Sequence, residues 1–207
     1  MQPLNPLNAD PAYVSSQLLC TSDSHPIRVD FLPTLVLPYP GKLGLTIAPG
    51  KCHPGMQFNW ARELNKDLER LRQHYQTDLL VSLIEADEMV VLQIPNLLVA
   101  VETYGMRSRW FPIQDFGTPT SMSGLVDLVN EILAAITAGD TVVLHCRGGL
   151  GRSGLVAAAC LVTQGYACDR AFALVRAARP GSVETLAQET YVKQFQQVWA
   201  QRDRSLE

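Results

Sequence analysis

The segment VVLHCRGGLGRSG, from Val142 to Gly154, constrains the fold more than any other part of the chain. An apolar β-type run ends at His145, a glycine-rich turn follows, and LVAAACLV then continues apolar all round and rich in small residues. Strand, tight loop and buried helix in that order build an open α/β sheet, in which ligands lie beyond the carboxyl ends of the strands. The rest of the chain agrees. Short strands are expected at Ile27–Phe31 and Leu43–Ala48, between proline and glycine breakers, then at Asp78–Ile84, in MRSRWFPI and at Asp140–His145. Helices are expected from Asn59 to about Tyr75, over Asn96–Tyr104 closed by Gly105, from Leu125 to Gly139, and over Asp169–Ala178 and Thr185–Trp199. Strands alternating with helices predict a single α/β domain with a mainly parallel central sheet and helices on both faces, the first two strands adding an antiparallel edge.

A chain of 207 residues can bury a core without disulfides or metals. Its net charge of -3 gives no reason to expect nucleic acid or an anionic membrane as a partner. The five cysteines, Cys20, Cys52, Cys146, Cys160 and Cys168, form no CxxC pair and no disulfide framework, and fit a reducing compartment. His25, His53 and His74 show no metal spacing, so neither metal nor cofactor is expected. MQPLNPLNADPAY lacks a basic start and an apolar run, and no stretch reads as a membrane span. The expected location is the cytoplasm. Oligomeric state is not legible.

The loop between the Asp140–His145 strand and the next helix reads as a phosphate-binding loop. Gly148, Gly149 and Gly151 let the backbone curl and turn its N–H groups inward. The helix adds its own free N–H groups and the positive end of its dipole. Cys146 sits at the base of this cradle, and the donors that would hold a phosphate also favour thiolate, the nucleophilic form, over thiol. The planar fork of Arg152 can hold two phosphoryl oxygens at once, as lysine cannot. Transfer of a phosphoryl group to sulfur is mostly a matter of positioning and electrostatics, which such a loop supplies.

His145, Cys146, Arg152 and Ser153 stand at the positions of HC-x5-R followed by Ser or Thr, and here the chain resembles the protein tyrosine phosphatase superfamily. FPIQDFGTP, the long helix after it, GLTIAPGKCHPG and GSVETLAQETYVKQF are most similar to the small dual-specificity phosphatases of the cyclin-dependent kinase inhibitor 3 group, over roughly Ile27 to Trp199. The resemblance implies hydrolysis of phosphomonoesters through a phosphocysteine intermediate, on phosphotyrosine together with phosphoserine and phosphothreonine in proteins. Residues 1–26, with Pro, Asn and Ser and little periodicity, read as an arm, followed by a catalytic domain (27–200) and a tail (201–207).

The same resemblance implies roles for residues outside the cradle. Asp115, in RWFPIQDFGTP, stands where the family carries a general acid that protonates the leaving oxygen and then activates water. Asp87, Glu88 and Asp127 are weaker candidates, and a lone aspartate before glycine can also be only a turn former. Ser153 is expected to hydrogen-bond the thiolate, to cap the helix, or to do both. His145 should orient the loop, and Gln188 corresponds to a glutamine that positions water in some relatives. Arg147, Gly148, Gly149, Leu150 and Gly151 complete the substrate-binding loop with Arg152. Three other readings stay open: a phosphatase for lipid or other non-protein phosphates, a rhodanese-like sulfurtransferase, and an inactive phosphate-binding module.

Overall fold

The computed structural model describes residues 18–55 and 58–203. In chain order the elements are β1 (Leu18–Thr21), β2 (Asp30–Phe31), β3 (Lys42–Thr46), β4 (Cys52–Pro54), β5 (Phe58–Ala61), α1 (Leu64–Gln73), β6 (Leu79–Ser82), α2 (Ala86–Val91), α3 (Leu97–Thr103), β7 (Arg107–Trp110), α4 (Met122–Thr137), β8 (Thr141–His145), α5 (Gly151–Thr163), α6 (Cys168–Ala178) and α7 (Leu186–Asp203). The main sheet has the order β2-β3-β8-β6-β7. Its last four strands run parallel, and β2 pairs antiparallel with β3 as the expected edge.

The registers place Thr46, Ser82 and His145 side by side, and Trp110 beside Ser82. Three parallel strands therefore end level with the strand that leads into the glycine-rich loop. β8 is buried along its whole length because it is central, and this explains the unbroken apolar run of TVVLH up to its histidine. α5 is buried from Gly151 to Val162 and carries Ala157, Ala158 and Ala159, whose small side chains allow close packing on β3 and β8. α4 lies against β8, and α6 and α7 pack outside α5. On the other side α1 packs with α3, which runs along β7.

One expectation fails. The helix expected from Asn59 begins only at Leu64, with Glu63 at its N-cap, and Asn59 and Trp60 belong to β5. The spacing of Trp60, Leu64, Leu68 and Leu71 imitates a helical face, but FNWA pairs on both sides. β5 lies parallel to β1 and antiparallel to β4, forming a small second sheet of order β1-β5-β4. Arg62, between strand and helix, is buried in a bidentate pair with Asp67 at 2.8 Å, and it would have no such partner if the helix began at Asn59. The short helix α2 was not expected at all. Of the segment read as an arm, residues 1–17 lie outside the described residues, as do 204–207 of the tail. No described helix is long and apolar enough to cross a membrane.

Candidate active site

β8 delivers Cys146 to the floor of a cavity of about 490 Å³, whose wall includes Arg147, Gly148, Asp115, Phe116, Glu184 and Lys51. The Cys146 thiol is buried, and the Gly149 N–H donates to its Sγ at 3.2 Å. Gly149 has φ +69°, and a Cβ there would lie 2.1 Å from the Thr46 carbonyl, so no other residue fits this turn. Arg179 holds the outside of the loop: its Nε donates to the Gly149 carbonyl at 2.7 Å and its Nη2 to the Gly148 carbonyl at 2.9 Å. Its Nη1 is paired with Asp30 on the edge strand. With both carbonyls drawn outward, the loop is held with N–H groups toward the cavity.

His145 fixes the loop from below. Its Nδ1 lies 3.3 Å from the Cys146 carbonyl and its Nε2 2.7 Å from the Ser82 hydroxyl. A carbonyl can only accept, so Nδ1 carries the proton and Nε2 accepts from Ser82. Burial pushes the His145 pKa down to about 4, with the Arg152 charge adding to the effect and the bond to the Cys146 carbonyl opposing it. The ring is therefore neutral at pH 7 and bridges the Cys146 carbonyl and the Ser82 hydroxyl.

Arg152 is buried beneath the loop. Nη1 and Nη2 form a fork with Glu88, Nη2 to Oε1 at 2.9 Å, while Nη1 also reaches the Ile113 carbonyl at 2.9 Å and Nη2 the Asp115 Oδ1 at 2.7 Å. Burial opposes the Arg152 charge, but Glu88, Cys146 and Asp115 outweigh it and raise the pKa. Asp115 stands on the loop after β7, about one-third exposed, and Oδ1 also accepts the Phe116 N–H at 3.1 Å. Thus Glu88 faces the site as the partner of Arg152. Asp87 and Asp127 are exposed and stay outside the cavity wall.

Gln188 is fully buried, and its amide ties the Asp115 loop to the start of α7. Nε2 donates to the Gly117 carbonyl at 3.2 Å, and Oε1 accepts the N–H of Glu184 at 2.9 Å. Glu184 in turn accepts the Gly151 N–H at 2.7 Å, at the first residue of α5. Ser153 Oγ is buried and makes no hydrogen bond among the described residues, and the N-cap of α5 is Leu150, so Ser153 does not cap the helix. Arg147 is partly exposed, with Nη2 at 3.2 Å from both ring nitrogens of His53, the geometry of a guanidinium stacked on an imidazole. Leu150 stays outside the cavity wall.

Lys51, Glu88, Arg179 and Glu184 are thus parts of the site that sequence reasoning missed as such. Glu88 had one visible trait: it lies three residues after Glu85 and accepts its N–H at 3.0 Å, so it reads as a helix cap.

A thiol at the base of an N–H cradle, a buried arginine fork and a carboxylate on a neighbouring loop can together capture a phosphate ester, take its phosphoryl group on sulfur and protonate the departing oxygen. The fold and this loop define a cysteine-dependent phosphatase of the protein tyrosine phosphatase class, in its small dual-specificity form. The family described as cyclin-dependent kinase inhibitor 3 matches residues 1–171, and the chain belongs to that family. The cyclin-dependent kinase inhibitor 3 of Rattus norvegicus is 30% identical over 173 residues, covering 82% of this chain and 79% of the relative. Among solved structures, a kinase associated phosphatase with its catalytic-site cysteine replaced by serine has a TM-score of 0.76 at 26% identity, covering 84% of this chain and 97% of that one. The active form of Tk-PTP has a TM-score of 0.65 at 28% identity, covering 82% and 96%.

Proposed function

We propose that Cys146 is the nucleophile of this phosphatase and that its substrates are phosphorylated proteins, protein kinases among them. Sγ attacks phosphorus, the bond from phosphorus to the ester oxygen breaks, and Asp115 gives that oxygen its proton. Water then attacks the phosphocysteine, Asp115 takes back a proton, and the P–S bond breaks to return the thiolate. Ser153, whose buried hydroxyl has no partner among the described residues, donates to the departing sulfur. Arg152 and the N–H groups of Gly148 and Gly149 carry the phosphoryl charge, with Arg147 and Leu150 shaping the loop and the Gly151 N–H anchored on Glu184, while His145 and Gln188 hold the loop and the acid in place. The observation that carries this reading is the Gly149 N–H on Cys146 Sγ at the floor of the cavity, with the Arg152 fork beneath. The kinase part rests on the names of the relatives. The five free thiols fit a reducing cytoplasm.

The test is Cys146→Ser assayed on phosphotyrosine and phosphothreonine peptides. Turnover should vanish while the phosphopeptide still binds, because the hydroxyl keeps the shape but is a far poorer nucleophile near neutral pH. Turnover near that of the unaltered enzyme would overturn the covalent mechanism.

A further inference from the structure

The cations around the cavity differ in how their charge is met. Arg152 is held by the carboxylates of Glu88 and Asp115, and Arg179 by Asp30. Lys51 is only 5% exposed and makes no ion pair among the described residues. Its Nζ donates to the Arg147 carbonyl at 3.2 Å and lies 3.9 Å from the centroid of the Trp60 ring, on the same cavity wall as Cys146. An ammonium has three N–H groups, and this one spends a single hydrogen bond on protein.

The position is built, not incidental. Gly50 turns with φ +71° and gives its N–H to Asp67 Oδ2 at 2.8 Å, the same carboxylate that pairs with the buried Arg62. The Arg62 N–H then donates to the Lys51 carbonyl at 3.3 Å. The backbone of Lys51 is thus pinned on both sides while its side chain runs to the cavity. Burying an ammonium without a counter-ion is costly. Burial lowers the Lys51 pKa to about 8, and Arg62, Arg147 and Arg179 push in the same direction. Cys146 alone among its charged neighbours opposes them. His53, Asp115 and Glu184 are the other titratable groups on the wall.

We propose that Lys51 is a second cationic ligand of the anion seated on Cys146, its free N–H groups going to phosphoryl oxygens in the bound substrate and in the phosphocysteine. This rests on the reading of Cys146 as the site of phosphoryl transfer. It assigns the cradle two cations with different tasks. Arg152, preset by its carboxylates, fixes orientation, and Lys51 supplies positive charge that no carboxylate among the described residues pairs with. Lys51 touches the transferred group and is to that extent catalytic.

The experiment uses sulfate, which stays a dianion through the neutral and alkaline range and has no group to transfer. Its affinity is measured calorimetrically in the Cys146→Ser protein, so that the cradle holds no thiol, and from above the range in which imidazoles titrate. At the lower end of that range, adding Lys51→Met should weaken sulfate about tenfold or more, and adding Lys51→Arg should leave it within about threefold. With Lys51 in place, affinity should fall about tenfold per pH unit above the lysine's titration, and with arginine it should stay flat. Equal affinity for the lysine and methionine proteins, or an unchanged pH dependence with arginine, overturns the proposal. If the methionine protein does not fold, the comparison of lysine with arginine decides alone. The proposed mechanism fails separately, through turnover by Cys146→Ser with Lys51 intact.

Discussion

Removing the Glu88 carboxylate tests the internal support of the site. Glu88→Ala deletes both bonds of the fork on Arg152 and the bond from the Glu85 N–H to Oε2. Breaking one side of a buried ion pair costs about 3–5 kcal/mol, because the remaining charge is left uncompensated. Arg152 has a side chain only 1% exposed, but it keeps Asp115 and the Ile113 carbonyl, which places the cost at the low end, about 3 kcal/mol. The lost cap on α2 adds about 1 kcal/mol. For a chain of this length each kcal/mol moves Tm by roughly 2–4 °C, so Tm should fall by about 8–16 °C. Glu88→Gln keeps shape and one acceptor and should lose about half as much. Where both variants are folded, kcat/KM should still drop about 10²-fold, since a guanidinium displaced by about 1 Å no longer meets two oxygens. The assays are thermal unfolding, and steady-state turnover on a phosphopeptide, with Asp87→Asn as the exposed neighbour. Glu88→Ala with Tm and kcat/KM close to those of the unaltered protein would refute the claim that Glu88 holds Arg152.

Asp115→Asn should slow cleavage of a phosphothreonine peptide more than that of p-nitrophenyl phosphate, because an alkoxide needs a proton far more than a nitrophenolate. The loss should reach about 10²–10⁴-fold on the demanding substrate, and an equal small loss on both in single-turnover measurements would count against an acid role. Stability should also fall with acid through His145, which is neutral in the fold with a pKa of about 4 against an ordinary value near 6.5. Its folded pKa is depressed, so the unfolded chain binds the extra proton first. The full contribution is present above about 6.5 and shrinks as pH falls toward 4, by about 3 kcal/mol at 1.36 kcal/mol per unit. Urea midpoints across that window, with His145→Asn as the flattened control, measure it.

The legible parts of this protein are those whose cause is local in sequence. β6 and β8 read as strands because central position demands continuous apolar character. The cradle reads as a cradle because loop, cysteine and arginine lie within a few residues of one another. What was not legible depends on topology. Arg152 meets Glu88 across 64 residues, and Lys51 reaches the Arg147 carbonyl across 96. These encounters exist because parallel strands β3, β8 and β6 end level, so segments leaving them converge over one edge of the sheet. Arg179 arrives at the same edge from the end of α6. The small sheet failed for a related reason, since β5 is short and is a strand only by virtue of its partners β1 and β4.

The pairing of Arg152 with two carboxylates raises the question of how a phosphate finds room there. The Glu88 fork is bidentate and braced by α2, and so it stays. The contact with Asp115 is a single bond from Nη2 to a carboxylate on an exposed loop that lines the cavity. A phosphoryl oxygen arriving above Cys146 competes for that same N–H, and on the proposed roles it wins, because a dianion gains more from a guanidinium than one carboxylate does. On those roles Asp115, which already lines the cavity, would then be free to turn from Arg152 toward the leaving oxygen. On the same proposal Lys51 would tip the competition, for its charge, without an ion pair among the described residues, favours the incoming anion. The loop cannot swing far, since Gln188 keeps the Gly117 carbonyl and Thr185 Oγ1 the Phe116 carbonyl. On the proposed roles, then, Arg152 would hold the acid while the site is empty and give it up when substrate binds, so that occupancy of the cradle and delivery of the proton donor would be one event.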